Sequence, residues 1–336
     1  MRISQLIGFV CLLTAVSSSK SILAQESQSA QQENSVVPAE KEPEPKPRWN
    51  LPIKTAGGTQ VWTDHLYRAG TRIQQNELTG HWRLLDADDI RRAWGTRRQC
   101  EVVLEQIQPN QANSGSKHTV VLLHGLMRTR HSMKALETRL TKSESIDVIR
   151  FSYASTRGSI GDHATALREI LEDLPADATF SFVGHSMGNI VVRHLIGDLQ
   201  QYKDPTRILD RCQSMVMLGP PNQGAAIARR LAPSGLYGLV TGKGGMELGP
   251  EWDNFVKNLA TPPFPFAIIA GDVSKNTIQN PLVDGSSDFV VSVEEAQLDG
   301  CEQFETVPVL HSFLMDDAKA LELTTAFIQS HRSERK

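Results

Sequence analysis

From about residue 101 onward, continuous apolar runs alternate with stripes of apolar residues at helical spacing. Runs buried on both faces are typical of parallel strands. In one of the stripes, Met187, Val191, Leu195 and Leu199 share a face. A last helix is predicted near the end of the chain, and Asp316 or Asp317 can cap it. This alternation predicts an α/β fold, with a mostly parallel central sheet and helices on both of its faces. The runs predicted as strands are EVVLEQI (101–107), TVVLLHG (119–125), DVIRFSYA (147–154), TFSFVGHS (179–186), SMVMLGPP (214–221), FAIIAGD (266–272) and QFETVPVLH (303–311).

The start of the chain has the pattern of an export signal. Arg2 is followed by the apolar run Leu6–Val16 and by Leu23-Ala24, which predicts a signal peptide over residues 1–24. A membrane span needs about 20 apolar residues, so this run is too short for one. We therefore expect an exported protein, periplasmic or secreted, with an uncleaved N-terminal membrane anchor as the alternative.

Two further segments precede the regular part of the chain. Residues 25–49 are rich in Gln, Ser, Glu, Pro and Lys, which predicts a disordered linker. Residues 50–100 form an N-terminal extension, and residues 49–94 hold four of the five tryptophans. Short strands that cover a sheet edge are expected there, with a substrate-facing flap as the alternative.

Charge and cysteine content exclude several classes of function. The 336 residues carry a net charge of −3, and their basic residues are scattered apart from RRAWGTRR at 91–98, so no nucleic-acid partner is predicted. Cys11 would leave with the signal peptide. Cys100, Cys212 and Cys301 allow one disulfide at most, and the pairing stays open. No CxxC spacing is present, and neither a metal site nor a cofactor is predicted.

The stretch FVGHSMGN, residues 182–189, places Ser186 between Gly184 and Gly188 at the end of an apolar strand and before a helical stripe. A Gly-x-Ser-x-Gly sequence in this context is typical of a nucleophile elbow. Strand and helix approach closely in such a turn, so glycines are needed on both sides. The turn exposes the serine hydroxyl at the sheet edge, and Ser186 is the predicted nucleophile.

A serine hydroxyl needs a base to become a good nucleophile. Among the ten histidines, His311 follows the last predicted strand and precedes a new helix. A hydrolase with this order of strands and helices has its catalytic base in that loop. His185 lies beside Ser186, but adjacent side chains in the turn diverge. His194 and His331 lie on helices. His311 is therefore the predicted base.

The base in turn needs a carboxylate that fixes its tautomer. Asp288 is preferred because Gly285, Asp288 and Val291 place the acid in a glycine-turned loop braced by apolar residues. Asp272, at the end of a strand, is the alternative acid, and Asp284 is a third candidate. In the chain, the nucleophile is followed by the acid and then by the histidine, which is the order expected for an α/β-hydrolase.

An oxyanion hole completes the predicted site. One donor is expected to be the backbone N–H of Met187, which follows the nucleophile. The other is expected from the turn HGLMRTRHSM, where the N–H of Leu126 is preferred and that of Met127 is the alternative. His124 is expected to brace this turn rather than to take part in the chemistry.

Together these motifs resemble the α/β-hydrolase lipases and esterases, in particular the bacterial triacylglycerol lipases and the GPI inositol-deacylase-like lipases. The resemblance covers about residues 101–330. It implies hydrolysis of a carboxylic ester through a serine acyl-enzyme, with no cofactor. The stretches that carry it are LLHGLMRTRHSM, YASTRGSI, FVGHSMGNIVVRHL, LGPPNQGA, DGSSDFVV and VLHSFL.

We therefore predict an α/β-hydrolase domain over residues 101–332 with a lid at about 225–262, where glycines lie among apolar residues. A loose surface insertion is the alternative for this segment. Its substrate is expected to be a small-molecule or lipid ester, with transient contact to a membrane or lipid interface and no inferred protein partner. An acyltransferase or amidase with the same triad is the alternative, as is a non-catalytic binding protein of this fold. The natural ester, the acyl-chain preference and the oligomeric state stay open.

Overall fold

The computed structural model describes residues 53–55, 60–108, 118–234, 236–275 and 280–332. The predicted signal peptide (1–24) and linker (25–49) lie outside these ranges. No helix in the described ranges has the length and apolar character needed to cross a bilayer. Cys100, Cys212 and Cys301 all carry free thiols.

The six strands of the main sheet are all parallel, which confirms the predicted sheet. Their order is β11-β10-β9-β8-β6-β7. Every residue of β6, β8 and β10 is buried, as expected for strands covered on both faces. These strands are β6 (His118–Leu123), β7 (Ile146–Phe151), β8 (Phe180–His185), β9 (Cys212–Leu218), β10 (Phe266–Gly271) and β11 (Gln303–Val307).

Helices pack on both faces of this sheet, because alternate side chains of each strand point to opposite sides. On one face, Val121 and Leu123 join a core that includes residues of α3 and α4. On the other face, Val120 and Leu122 join a core that includes residues of α2 and α10. The side chain of Asp317, one of the two residues predicted as candidates, caps α10. The four helices are α2 (Lys134–Leu140), α3 (Ile160–Asp173), α4 (Met187–Gln201) and α10 (Ala318–Ser330).

Shorter helices fill the connections between the strands. These are α5 (Ile208–Arg211), α6 (Ala226–Leu231), α7 (Leu236–Leu248), α8 (Trp252–Phe255) and α9 (Val293–Ala296). Single 3-10 turns cover Arg130–Met133, Ala232–Ser234, Val256–Asn258 and His311–Phe313.

The N-terminal region builds a second, antiparallel sheet of five strands in the order β1-β5-β4-β3-β2. β2 lies against the chain that leaves the edge strand β7, where the N–H of Asp64 donates to the carbonyl of Ser152 at 2.8 Å. The strands of this N-terminal sheet are β1 (Ile53–Lys54), β2 (Trp62–Arg68), β3 (Thr71–Asn76), β4 (Trp82–Leu85) and β5 (Ile90–Gly95).

The predicted strand at 101–107 is wrong, because these residues belong to helix α1 (Arg97–Ile107). Thr96 starts this helix with a capping box, in which its side chain accepts from the N–H of Gln99 and the Gln99 side chain binds back to the N–H of Thr96. Cys100 and Leu104, one helical turn apart, are buried in the core of the N-terminal sheet. The predicted domain boundary between residues 100 and 101 therefore falls inside a helix.

Besides His311, four buried histidines of the main domain are held neutral by their surroundings. Burial lowers the pKa of His118 and of His124 to about 4, and that of His163 to about 3. Burial also lowers the pKa of His185 well below its ordinary value, and the neighbouring His311 acts in the same direction. In the unfolded chain, each of these rings returns to a pKa of about 6.5. The folded state therefore binds fewer protons than the unfolded state below that pH.

We expect the free energy of unfolding to fall as the pH is lowered from 7 to 5.5. Each of the four histidines contributes about 1.4 kcal/mol per pH unit once the pH is below its unfolded pKa. Urea unfolding at the two pH values measures the change. In a His118→Gln variant, an uncharged amide replaces the ring that lies 3.0 Å from the hydroxyls of Thr179 and Ser181. The slope of the free energy of unfolding against pH should then decrease by about 1.4 kcal/mol per pH unit. Equal stability of the parent protein at both pH values would contradict the neutral state of these rings.

Candidate active site

Ser186 occupies the sharp turn between β8 and α4. Its backbone has φ +52° and ψ −123°, which is rare for a residue other than glycine and is held only where the surroundings enforce it. Its N–H donates to the carbonyl of Leu218, the last residue of β9, at 2.9 Å. The turn thus joins the ends of two neighbouring strands and fixes the position of the serine.

The glycines on either side of Ser186 allow this turn to form. A Cβ on Gly184 would lie 2.2 Å from Oδ1 of Asn189. A Cβ on Gly188 would lie 2.6 Å from the carbonyl oxygen of Leu123, at the end of β6. No side chain fits at either position, because the helix begins directly against the neighbouring strand.

His311 and Asp288 form a buried pair. The Nδ1 of His311 lies 2.6 Å from Oδ2 of Asp288, and the backbone N–H of His311 donates to the carbonyl of Asp288 at 2.9 Å. The other carboxylate oxygen of Asp288 accepts the N–H groups of Val290 and Val291, at 3.0 and 2.7 Å. The carboxylate is therefore fixed on one side by the backbone and presents its other side to the imidazole. Because Nδ1 faces the acid, Nε2 is the nitrogen that can exchange a proton with a reactant.

The two other candidate acids lie elsewhere. Asp272 accepts from the N–H of Ser274 at 2.9 Å, and its hydrogen bonds to this residue lower its pKa. Asp284 is exposed and is paired with Arg230. In the described structure, neither carboxylate is paired with a histidine.

The other candidate bases also have different partners. His194 lies beside Asp198 on the same helix at 3.1 Å, and His331 lies 3.1 Å from Glu302. His185 contacts His311 through its ring, with centroids 4.8 Å apart, and its Nε2 lies 2.9 Å from the carbonyl oxygen of His311. His185 therefore supports the loop that carries His311.

Gly219 connects the Ser186 turn with the Asp288–His311 pair. It follows Leu218, the residue that accepts the Ser186 N–H, and a Cβ here would lie 3.1 Å from both His311 Nδ1 and Asp288 Oδ2. Sequence reasoning assigned no role to Gly219, although a Gly-Pro-Pro sequence after a buried strand was a usable signal. The described contacts contain no hydrogen bond between Ser186 Oγ and His311, and such bonds often tighten only when substrate is bound.

The turn after β6, residues 124–129, hereafter the β6 turn, lies against the nucleophile. A Cβ on Gly125 would be 3.0 Å from Cβ of Ser186. The N–H of Met127 already donates to Ser155 Oγ at 3.1 Å, so the alternative oxyanion donor has a partner. The N–H of Met187 has no partner within its helix, because Met187 is the first residue of α4. The preferred donors therefore stay Leu126 and Met187.

His124, the first residue of the β6 turn, braces the turn through its ring. Its ring stacks on Tyr153 with centroids 4.1 Å apart, and its Nδ1 lies 2.9 Å from the carbonyl oxygen of Gly125. With its pKa lowered to about 4 by burial, this ring stays neutral at ordinary pH. Its contacts are those of a bracing residue.

The segment predicted as a lid is helical, and α7 lies directly on the site. A Cβ on Gly244 would be 2.9 Å from Sδ of Met187, the residue after the nucleophile. The helix is interrupted at Gly242, with φ +66°, where the chain passes close to the carbonyl of Thr156. The motion of this segment as a lid stays a prediction.

The described residues contain no group of histidine, cysteine and carboxylate side chains that could hold a metal ion.

Comparison with known proteins places this arrangement in context. Residues 113–221, from the approach to β6 to the turn after β9, match the family model described as "Putative serine esterase (DUF676)". This stretch includes Ser186 and the β6 turn. A search of curated protein sequences gives no significant match.

Solved structures align with the chain at low identity. The mature lipase BlEst2 of Bacillus licheniformis aligns with a TM-score of 0.48 and 14% identity, over 66% of this chain and 94% of that one. The lin2722 gene product of Listeria innocua gives 0.46 and 16%, over 66% and 97%. The metagenomic carboxyl esterase MGS0156 gives 0.43 and 16%, over 59% and 65%. The match to the serine esterase family covers residues 113–221, which lie in the six-stranded parallel sheet and its connections. On these findings, the chain is a serine ester hydrolase with an α/β-hydrolase fold.

Proposed function

We propose that the chain is an exported hydrolase of lipid esters that works through Ser186, Asp288 and His311. The observation that carries this proposal is the buried 2.6 Å contact between His311 and Asp288, next to a serine held in a strained strand-to-helix turn. The three residues come from three separate loops at the carboxyl ends of parallel strands, where ligands of such sheets bind.

In the first half of the reaction, Nε2 of His311 takes the proton of the Ser186 hydroxyl as the oxygen attacks the ester carbonyl carbon. Asp288, at Nδ1, stabilises the imidazolium that forms. The N–H groups of Leu126 and Met187 bind the oxyanion of the tetrahedral intermediate. Collapse of this intermediate expels the alcohol, which receives the proton from His311, and leaves an acyl group on Ser186. In the second half, His311 activates water, which attacks the acyl-enzyme and frees the acid.

Exposed apolar side chains around the site support a lipid substrate. Leu310 and Phe313 flank His311, and Met127 lies in the β6 turn; Phe313 is 56% exposed. Leu239 and Val240 of α7 and Leu231 at the end of α6 are also exposed. Exposed apolar side chains on the His311 loop and in the β6 turn fit an acyl chain or a lipid surface better than a small polar ester.

The export part of the proposal is supported by the sequence of residues 1–24, with Arg2 followed by a short apolar run. An exported enzyme would meet lipid esters at or beyond the cell envelope. Release and attachment through an uncleaved anchor both agree with this pattern.

We expect Asp288→Asn to lower kcat by about 10⁴, because the amide would favour the wrong imidazole tautomer and could not stabilise the imidazolium. Asp272→Asn and Asp284→Asn are matched controls in the same connection between β10 and α9, and each should keep kcat within about threefold of the parent value. Hydrolysis of p-nitrophenyl butyrate by the four proteins measures this. A larger loss in Asp272→Asn than in Asp288→Asn would overturn the choice of acid.

Ser186→Ala should lose about 10⁶ in kcat, as in other serine hydrolases that lack their nucleophile. With p-nitrophenyl esters from acetyl to palmitoyl, the parent protein should be fastest with the longer chains, because these can contact the exposed apolar side chains of the His311 loop and the β6 turn. A preference for acetyl would replace the lipid substrate with a short-chain ester. Appreciable turnover in Ser186→Ala would remove Ser186 from the mechanism.

A further inference from the structure

We infer that the N-terminal sheet is part of the catalytic apparatus, because its contacts hold the β6 turn in the conformation that aims the Leu126 N–H at the reacting ester. This inference rests on the proposed function and assigns a positioning role to Gln60 and Asp89. Neither residue lies within the stretch 113–221 that matches the esterase family model.

Met127 is the strained point of the β6 turn. Its φ of +59° is unusual for a residue with a branched or long side chain, and such a conformation persists only when its neighbours enforce it. Two hydrogen bonds hold it. Its N–H donates to Ser155 Oγ at 3.1 Å, and its carbonyl accepts from the side-chain amide of Gln60 at 2.7 Å. The peptide groups on both sides of Met127 are therefore fixed. The first of them joins Met127 to Leu126, so fixing it also restrains Leu126.

The segment that carries Ser155 is itself fastened to β2 of the N-terminal sheet. The N–H of Asp64 donates to the carbonyl of Ser152, and the N–H of Ser152 donates to Oδ2 of Asp64, both at 2.8 Å. The N–H of Ala154 donates to the hydroxyl of Thr63 at 3.2 Å. Asp64 is fully buried here, so this connection is shielded from water and competing partners. The N-terminal sheet thus reaches Met127 a second time, through Ser155.

A third contact holds the chain just beyond the turn. Nη2 of Arg130 lies 2.8 and 2.7 Å from the two carboxylate oxygens of Asp89, which sits in the turn between β4 and β5. The Arg130 side chain is buried, and Asp89 also pairs with Arg72 of β3. Removing one member of a buried ion pair is strongly destabilising, since the other charge stays buried without compensation. Arg130 is therefore firmly tied to the N-terminal sheet.

The same N-terminal region is joined to the main domain by ion pairs that involve no residue of the β6 turn. Arg68 of β2 donates two hydrogen bonds of 3.0 Å to Asp173 at the end of α3. Arg97 of α1 donates to Glu169 of α3 at 2.6 Å. These pairs connect the two parts without touching the site, so they provide a control for stability alone.

The position of the Leu126 N–H matters because oxyanion donors act in the transition state. A donor that is misplaced by about 1 Å can lower the rate by about 10². The bound ester before reaction needs this donor much less, so the loss should appear in kcat rather than in KM. A loss of the Gln60 or Asp89 contact should therefore slow turnover without weakening substrate binding.

The test compares Gln60→Ala, Asp89→Asn and Asp173→Asn in the full chain. With a p-nitrophenyl ester, we expect kcat to fall about fivefold in Gln60→Ala and about 10- to 100-fold in Asp89→Asn, with KM within about threefold of the parent value. A phenylboronic acid, which forms a tetrahedral adduct on the serine, should bind more weakly by similar factors. Asp173→Asn should keep kcat and boronate affinity even where its Tm falls.

Unchanged kcat in folded Gln60→Ala and Asp89→Asn would overturn the inference, and so would an equal loss of kcat in Asp173→Asn. Within the described ranges, the side chain of Gln60 has one hydrogen bond, which is exposed, so Gln60→Ala decides the question if Asp89→Asn does not fold. Failure of the proposed function gives a different result. The parent protein would then either not hydrolyse the ester or hydrolyse it as fast as Ser186→Ala does.

Discussion

The structure depends on one constraint, the conversion of strand β8 into helix α4 within a single residue, Ser186. The backbone can make this turn only with φ near +52° at the serine and with no side chain at Gly184 or Gly188. The surrounding strands enforce it. The end of β6 packs against Gly188, and the end of β9 accepts the Ser186 N–H. The strain stored in the turn is thus balanced by the packing of a wholly parallel sheet.

The same packing sorts the histidines. Around the site, His124, His163 and His185 are buried with no carboxylate partner among the described residues, and burial keeps each of them neutral. His311 is also buried, but it alone of these four faces a carboxylate, and Asp288 is itself fixed by two backbone N–H groups. One fold therefore contains bracing imidazoles and one imidazole prepared for proton transfer, and the difference lies in a single short contact.

Local signals in the sequence predicted most of the main domain. Runs rich in apolar residues, several of them continuous, indicated the six parallel strands, and the glycines beside Ser186 indicated the turn. Both signals depend on residues close together in the chain. Helix α1 was predicted wrongly as a strand, since the apolar residues of EVVLEQI outweighed the capping box at Thr96, a local signal that was available. The contacts of Gln60 with Met127 and of Asp89 with Arg130 could not be predicted. They join polar groups of residues 67 and 41 positions apart, and no periodic pattern in the sequence indicates such pairs.

The central claim is that Ser186 is the activated nucleophile of this site. Incubation with a fluorophosphonate probe, followed by intact mass measurement and peptide mapping, tests it most directly, because only an activated serine reacts rapidly with such a probe. The account predicts a single adduct, located on Ser186, in the parent protein and none in Ser186→Ala. An unlabelled parent protein, or an adduct on another residue, would contradict it.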